Sequence, residues 1–202
     1  MSFLPHFRAF ALAVTVAATA APAFAAPSDQ ALAFVTELGD EAVKIVSNPA
    51  LKGQDFETTF RAFIDKGFDL DTIGRFALGN FAKAITPAQN AEYQKLFHDY
   101  IVHTYANRFQ QYSGESFKVG TARVVAADEA LVSSTILRPG NQPAIKIDWQ
   151  VRVTGGKPKI IDIVIEGLRL GITLRDEFAG VIRQGGGNFE ALLKVLREKA
   201  AA

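Results

Sequence analysis

The fold is decided by residues 143–184, which read PAIKIDWQVRVTGGKPKIIDIVIEGLRLGITLRDEFAGVIRQ. Apolar and polar residues alternate over 145–153, as they do in a strand with one buried face. A Gly-Gly pair at 155–156 and a mostly apolar run over 160–166 follow, so the two segments predict a β-hairpin. After Gly167 the apolar residues recur at a spacing that predicts a helix.

The second strand of this hairpin carries apolar residues on both of its faces. Strict alternation places Ile161, Ile163 and Ile165 on one face, and Ile160 and Val164 on the other. A strand with this pattern is covered on both sides. We therefore expect helices to pack on the sheet.

The helix predicted after the hairpin begins with a capping box formed by Thr173 and Asp176. Glycines at 167, 171 and 180 flank the junction of strand and helix and would allow a small opening there. The apolar stripe of the helix consists of Ile172, Phe178, Val181 and Ile182.

The chain before the hairpin adds two further strands and four helices. Residues 117–123 and 131–137 alternate with a period of two. The preceding helices are predicted over about 28–46, with Ser28 as the cap, and over 55–66, 69–79 and 86–111; a last helix follows over about 188–199. These elements predict an α+β fold with a four-stranded twisted antiparallel sheet packed against several helices.

The most strongly marked helix is the one predicted over residues 86–111. Thr86 and Gln89 have the spacing of a capping box, and Pro87 stands at the first helical position. Its apolar side includes several tyrosines, which need hydrogen-bond partners where they are buried. This stripe is therefore either a core with local polar pairs or a wall that faces something amphipathic.

Residues 1–25 have the features of a secretory signal peptide. Arg8 precedes an apolar run that ends in Ala23-Phe24-Ala25. The run is shorter than the roughly 20 apolar residues that span a bilayer. We expect cleavage after Ala25, export of the mature chain, and a single domain over residues 26–202.

Charge and composition exclude several classes of function. The chain has 22 Lys and Arg against 21 Asp and Glu, which gives no electrostatic reason to expect nucleic acid as a partner. It has no cysteine, and therefore no thiolate ligand or cysteine nucleophile. His98 and His103 are five residues apart and fall on different sides of a helix, so we expect no metal site. No nucleophile elbow or dinucleotide-binding fingerprint is present.

Four motifs make the chain resemble the MlaC-type family, also called the toluene-tolerance family. They are Phe76-Ala77-Leu78-Gly79, Thr86-Pro87-Ala88-Gln89, the segment from Asp162 to Gly167 that continues to Arg175-Asp176-Glu177-Phe178, and the run from Ile182 to Gly187. Together with Thr104-Tyr105-Ala106 they extend over nearly the whole chain after the signal peptide. The segment that contains Asp162 and the glycine run are the most specific of these motifs.

The resemblance implies a periplasmic shuttle that has no catalytic activity, metal or cofactor. It implies a sheet and helices that enclose an apolar cavity for the acyl chains of one lipid, with the headgroup outside. The lipid would be a phospholipid, or a hopanoid if the chain belongs to the related HpnM-type branch. The other partners would be an inner-membrane ABC transporter complex and an outer-membrane lipoprotein complex, and a shuttle of this kind is expected to be a monomer.

We expect the lipid to contact apolar residues of the long helix and the sheet. Ile101, Tyr105 and Trp149 are the strongest candidates, because the helix and the sheet must face each other across a cavity. The full set of expected lipid-binding residues is Phe76, Phe97, Ile101, Tyr105, Ile147, Trp149, Val151, Val164, Ile172 and Ile182.

Two other functions stay open on the sequence alone. An enzyme acting on small apolar substrates would place a carboxylate with a raised pKa deep inside the cavity. A non-catalytic assembly protein of the cell envelope would have a filled core and an exposed apolar patch instead of a cavity.

Overall fold

The structure is a computed structural model that describes residues 26–110, 114–140 and 142–200. The predicted signal peptide lies outside these residues. The helices are α1 Pro27–Val46, α2 Gly53–Gly67, α3 Leu70–Leu78, α4 Pro87–Phe109, α5 Leu170–Gln184 and α6 Glu190–Ala200, with a short 3₁₀ helix at Gly79–Lys83. The strands are β1 Ser116–Ala126, β2 Glu129–Leu137, β3 Ile145–Thr154, β4 Lys157–Ile165 and β5 Leu168–Arg169.

The strands form one antiparallel sheet in chain order, from β1 at one edge to β5 at the other. This confirms the α+β class and the meander, and adds a fifth strand of two residues. The added strand forms because Glu166 and Gly167 both have positive φ, 50° and 83°, and reverse the chain in two residues. The Glu166 carboxylate accepts a hydrogen bond from the backbone N–H of Lys146 and so fixes the turn to β3.

Strand β4 contains a β-bulge that changes which residues share a face. The pairing of β3 with β4 skips Ile161, so alternation shifts by one position. As a result Ile160, Ile163 and Ile165 lie on the same side of the sheet. The prediction that grouped Ile161 with Ile163 and Ile165 is therefore wrong.

Two of the predicted helix starts are formed by side-chain caps. The hydroxyl of Thr86 accepts a hydrogen bond from the N–H of Gln89 at 3.2 Å, and the Gln89 side chain accepts one from the N–H of Thr86 at 2.9 Å. This confirms the capping box of α4. Asp69 caps α3 by accepting from the N–H of Thr72.

Two other predicted caps are wrong. Helix α1 begins at Pro27, so Ser28 lies inside its first turn. Helix α5 begins at Leu170, three residues before the expected capping threonine, and Thr173 instead donates to the carbonyl of Arg169. The early start is possible because the carboxylate of Asp162 in β4 accepts a hydrogen bond from the N–H of Gly171, a first-turn amide without a partner inside the helix.

Helices cover one face of the sheet in two groups. Helix α1 packs across β1, β2 and β3, while α2 and α5 contact β4. Helix α4 packs against α2 and against α6, and α3 packs on α5. Over the residues that the structure describes, no helix combines the length and apolar character needed to cross a membrane.

Candidate functional site

A cavity of about 220 Å³ lies between the sheet and helices α1, α2 and α4. Its helical walls include Val35, Leu38, Ala42, Phe60, Phe63 and Ile101. Its strand walls include Phe117, Ile136, Ile147, Trp149, Ile160 and Ile163. The bulge in β4 matters here, because it turns both Ile160 and Ile163 toward this space.

The cavity opens at the end of the sheet where β1 begins and β4 ends. The first residue of β1, Ser116, pairs with Leu137 at the end of β2, and Ile165 at the end of β4 pairs with Ile147 near the start of β3. These strand ends therefore lie at the same end of the sheet. Two apolar wall residues at this end are partly exposed, Phe109 at 39% and Ile165 at 37%. At the other end of β4 the wall residue Ile160 is fully buried. The cavity is therefore closed at one end and accessible at the other.

Few polar groups border the cavity. Those of the described lining residues are Tyr105, Glu115, Ser116 and Asp162. Burial raises the pKa of the Tyr105 hydroxyl, an effect that Arg108 opposes and Glu177 reinforces. The phenol is therefore neutral at physiological pH. The walls offer apolar contact along almost their whole extent.

Trp149 presents its ring to the cavity because its polar atom is bonded elsewhere. The indole Nε1 donates to the hydroxyl of Ser134 at 2.8 Å, and that hydroxyl donates to the carbonyl of Ile147 at 3.2 Å. The ring of Phe117 meets the indole edge-on, with 6.1 Å between centroids. The buried serine thus fixes the orientation of the largest side chain in the sheet wall.

Phe117 reaches its position because α1 has a glycine opposite it. A Cβ built on Gly39 would lie 2.1 Å from the Phe117 ring. Helix α1 and the edge strand β1 therefore lie closer together than any other residue at position 39 would allow without movement of the Phe117 ring or of the backbone. Both residues line the cavity.

Asp162 borders the cavity and is only 6% exposed. Its carboxylate accepts hydrogen bonds from Nε of Arg169 at 2.7 Å and from the backbone N–H groups of Ile163 and Gly171 at 2.9 and 3.1 Å. A second guanidinium nitrogen of Arg169 lies 2.7 Å from the same carboxylate and also donates to Gln150. The charge is compensated and the carboxylate joins β4 to the start of α5.

Four of the expected lipid-binding residues lie along the cavity: Ile101, Tyr105, Ile147 and Trp149. They come from α4 and β3, the two elements expected to face each other. Their role in binding lipid stays a prediction.

The other six expected residues lie outside the cavity wall. Phe97 and Ile182 are buried among α4, α5 and α6, where Phe97 contacts the rings of Tyr93 and Phe178. Val151 is fully buried under the helices, in register with Ala130 and Ile160. Three more are placed elsewhere: Val164 faces away, opposite Asp148 and Arg169, and Phe76 and Ile172 are exposed near the start of α5.

The expected set also omitted whole walls of the cavity. Apolar residues recur at helical spacing in α1 and α2, and Val35, Leu38, Phe60 and Phe63 from these stripes line the space. Periodicity shows that such a stripe is buried and says nothing about what it is buried against. Gly39 interrupts the apolar stripe of α1, and this glycine was the one local feature of the sequence that indicated a close approach between α1 and another element.

Comparison with known proteins places the chain among lipid-binding relatives. The family model described as MlaC protein matches residues 36–198. The phospholipid-binding protein from Ralstonia solanacearum, whose structure was solved in complex with a phospholipid, is 26% identical, with a TM-score of 0.71 over 85% of this chain and 97% of that one.

The toluene tolerance protein ttg2D of Pseudomonas putida is 23% identical over 128 residues, which cover 60% of this chain. The match spans 59% of the length of that curated relative. The family model, however, extends over most of the present chain, from α1 to α6. The chain therefore belongs to the MlaC family.

Proposed function

We propose that this protein binds a phospholipid by its acyl chains and carries it across the periplasm, as the soluble component of an ABC transport system. The observation that carries the proposal is the apolar cavity, which is closed at one end and open at the other. Its shape suits an elongated apolar ligand that enters by one end.

The physical chemistry of the walls favours an acyl chain. Each methylene moved from water into an apolar site contributes about 0.8 kcal/mol, so a chain needs no charged anchor. A phosphate buried against such walls would lose its hydration without compensation. A volume of about 220 Å³ is slightly below the roughly 300–1,000 Å³ of ordinary ligand pockets. A whole phospholipid tail would therefore require some displacement of the walls.

Family membership supports the cellular part of the proposal. The Ralstonia relative is a phospholipid-binding protein with the same fold over nearly its full length. The transfer route runs between an outer-membrane lipoprotein complex and an inner-membrane ABC transporter complex, with this protein as a monomeric shuttle. Export to the periplasm rests on the signal sequence in residues 1–25.

Neither alternative function fits the cavity as well. An enzyme needs a carboxylate that is available to its substrate, whereas Asp162 is engaged by Arg169 and by two backbone amides. Glu115, the other carboxylate that borders the space, lies next to the opening, whereas the enzyme would need a carboxylate deep inside the cavity. An assembly protein would have a filled core where this chain has a cavity.

Native mass spectrometry tests the proposal on protein exported to a bacterial periplasm and purified without detergent. We expect one phospholipid bound per chain, confirmed by lipid extraction. The variant Ala42→Trp places a large ring in the cavity wall and should lower the bound fraction several-fold. Ala33→Trp is the matched control, because Ala33 lies on the exposed side of the same helix.

The two variants must first show cooperative thermal unfolding, so that loss of lipid is not loss of fold. Equal occupancy in Ala42→Trp, Ala33→Trp and wild type would overturn the assignment of the cavity. Hopanoid in place of phospholipid, on expression in a hopanoid-producing host, would identify the HpnM-type branch. Transfer of a fluorescent phospholipid between two vesicle populations then tests the shuttle.

A further inference from the structure

The cavity accepts an acyl chain but has no place for the headgroup, which must stay at the opening. We propose that the guanidinium of Arg108 binds the phosphate of the lipid whose chain lies in the cavity. This inference deepens the proposed function and rests on it. It adds a polar contact to a site whose other contacts are apolar.

Arg108 stands where the headgroup would emerge. It lies in the last turn of α4, with its guanidinium carbon 5.5 Å from the centre of the Tyr105 ring. Tyr105 is part of the cavity wall, and so is Phe109, the partly exposed residue beside the opening. The cation is therefore attached to the wall itself at the open end of the cavity.

Three other basic side chains near this end are bonded elsewhere or point away from the cavity. Arg169 binds Asp162 and Gln150, and Arg138 donates to the carbonyl of Pro143 at 2.9 Å. Lys146 alternates with the wall residue Ile147 and so points to the opposite face of the sheet.

By contrast, within the described part of the chain no carboxylate lies within ion-pair distance of Arg108. Its position over the ring of Tyr105 suits phosphate recognition. A guanidinium that lies on an aromatic face keeps its N–H edge free, and this edge matches a phosphate with two parallel hydrogen bonds.

A simpler explanation of Arg108 is that a cation is favoured at the C-terminus of a helix. That explanation predicts an effect of mutation on stability and none on the choice of lipid. The two explanations therefore differ in a measurable way.

The experiment compares two lipids with identical acyl chains, phosphatidylglycerol and diacylglycerol. Both are delivered from cyclodextrin to delipidated full-length mature protein, and bound lipid is measured by native mass spectrometry. Arg108→Gln should weaken phosphatidylglycerol binding about fivefold, the scale of one charge-assisted contact at a partly exposed site. It should leave diacylglycerol binding unchanged, and Arg108→Lys should retain part of the preference.

Arg183→Gln is the matched control, because Arg183 is exposed in the last turn of α5 and does not border the cavity. It should change neither affinity. Raising the salt concentration should reduce the wild-type preference for phosphatidylglycerol toward that of Arg108→Gln. This measurement needs no mutation, so a preference that does not change with salt would overturn the proposal even if the Arg108 variants fail to fold.

The inference is wrong if Arg108→Gln weakens both lipids equally or weakens neither. In either case a wild-type protein that binds both lipids still supports the proposed function, whereas failure to bind either lipid contradicts the function itself. A last experiment measures the binding of inorganic phosphate alone. Binding of free phosphate to the wild type but not to Arg108→Gln, with no preference between the lipids, would overturn the headgroup assignment.

Discussion

Helix α4 separates two regions that are built from similar side chains but differ in how they are packed. On the side of α5 and α6, the rings of Tyr93, Phe97 and Tyr100 meet those of Phe178 and Phe189 at centroid distances between 6.0 and 6.3 Å. These rings fill the space among the helices. On the side of α1, α2 and the sheet, rings line a cavity instead.

The difference lies in what each ring has opposite it. In the filled region Phe178 makes edge-to-face contact with three rings of α4 and completes a closed cluster. In the cavity region the rings of the helices contact one another, as Phe60 does with Phe56, Phe63 and Phe109, and the sheet rings Phe117 and Trp149 contact each other. The lesson is that aromatic content does not fill a core unless rings from facing elements meet.

The largest expected effect separates the two regions directly. Phe178→Ala removes a ring enclosed on all sides and should lower the free energy of unfolding by about 3–5 kcal/mol. Phe60→Ala removes an equally buried ring that borders the cavity, and its cost should stay nearer the transfer term of about 1.5–3 kcal/mol. Urea denaturation of both variants measures this, and equal costs would contradict the comparison.

A smaller effect is expected at Asp162, which connects the cavity wall to α5. Asp162→Asn removes the charge that holds Arg169 and weakens the acceptor for Gly171. Because Arg169 is partly exposed, the cost should be about 2 kcal/mol, below that of a fully buried pair.

Asp176→Asn is the control for this substitution. Its partner Arg175 lies 3.5 Å away at the surface, so the change should be within about 0.5 kcal/mol. Urea denaturation compares the two variants. Similar values for both would show that the link between β4 and α5 contributes nothing.

The last effect, smaller than that at Asp162 per residue and pH unit, concerns the tyrosines at high pH. Burial raises the pKa of Tyr93 far above its usual value, and burial also raises that of Tyr105. Above pH 10, roughly the pKa of a tyrosine in the unfolded chain, the unfolded state releases these protons while the folded state keeps them. The folded state therefore loses stability as the pH rises further. Each such tyrosine should contribute a fall of at most about 1.4 kcal/mol per pH unit, between its unfolded and its folded pKa.

Urea denaturation at several alkaline pH values measures this slope. Tyr93→Phe should reduce it, at the cost of the hydrogen bond that Tyr93 donates to the carbonyl of Gly74 at 2.9 Å. Tyr105→Phe should reduce it as well, over the same range. A wild-type stability that is flat above pH 10 would mean that both hydroxyls reach water before the protein unfolds.

Sequence periodicity predicted the elements well and their neighbours poorly. The meander and the capping box at Thr86 follow from local patterns. Ile101 and Trp149 lie along the cavity as expected, but that expectation came from the cavity that the family resemblance implied. Phe97 was assigned to the same wall, although it belongs to the filled region. The two apolar sides of α4 look alike in sequence, and only the packing of α5 and α6 distinguishes them.

Other differences have physical causes that lie outside the segment concerned. The bulge at Ile161 depends on how β4 pairs with β3. The start of α5 depends on a carboxylate in the preceding strand, since Asp162 supplies the acceptor that a local cap would otherwise provide. Neither can be found from the spacing of apolar residues alone.

The contact between Gly39 and Phe117 sets the distance between helix α1 and strand β1 in the cavity wall. Helix α1 and the edge strand β1 are separated there by the thickness of one aromatic ring, because residue 39 carries a hydrogen atom where others carry carbon. A single added methyl group would overlap that ring, so either the ring would turn or the helix and the strand would move apart. The seam between α1 and β1 thus keeps its present width only with glycine at position 39.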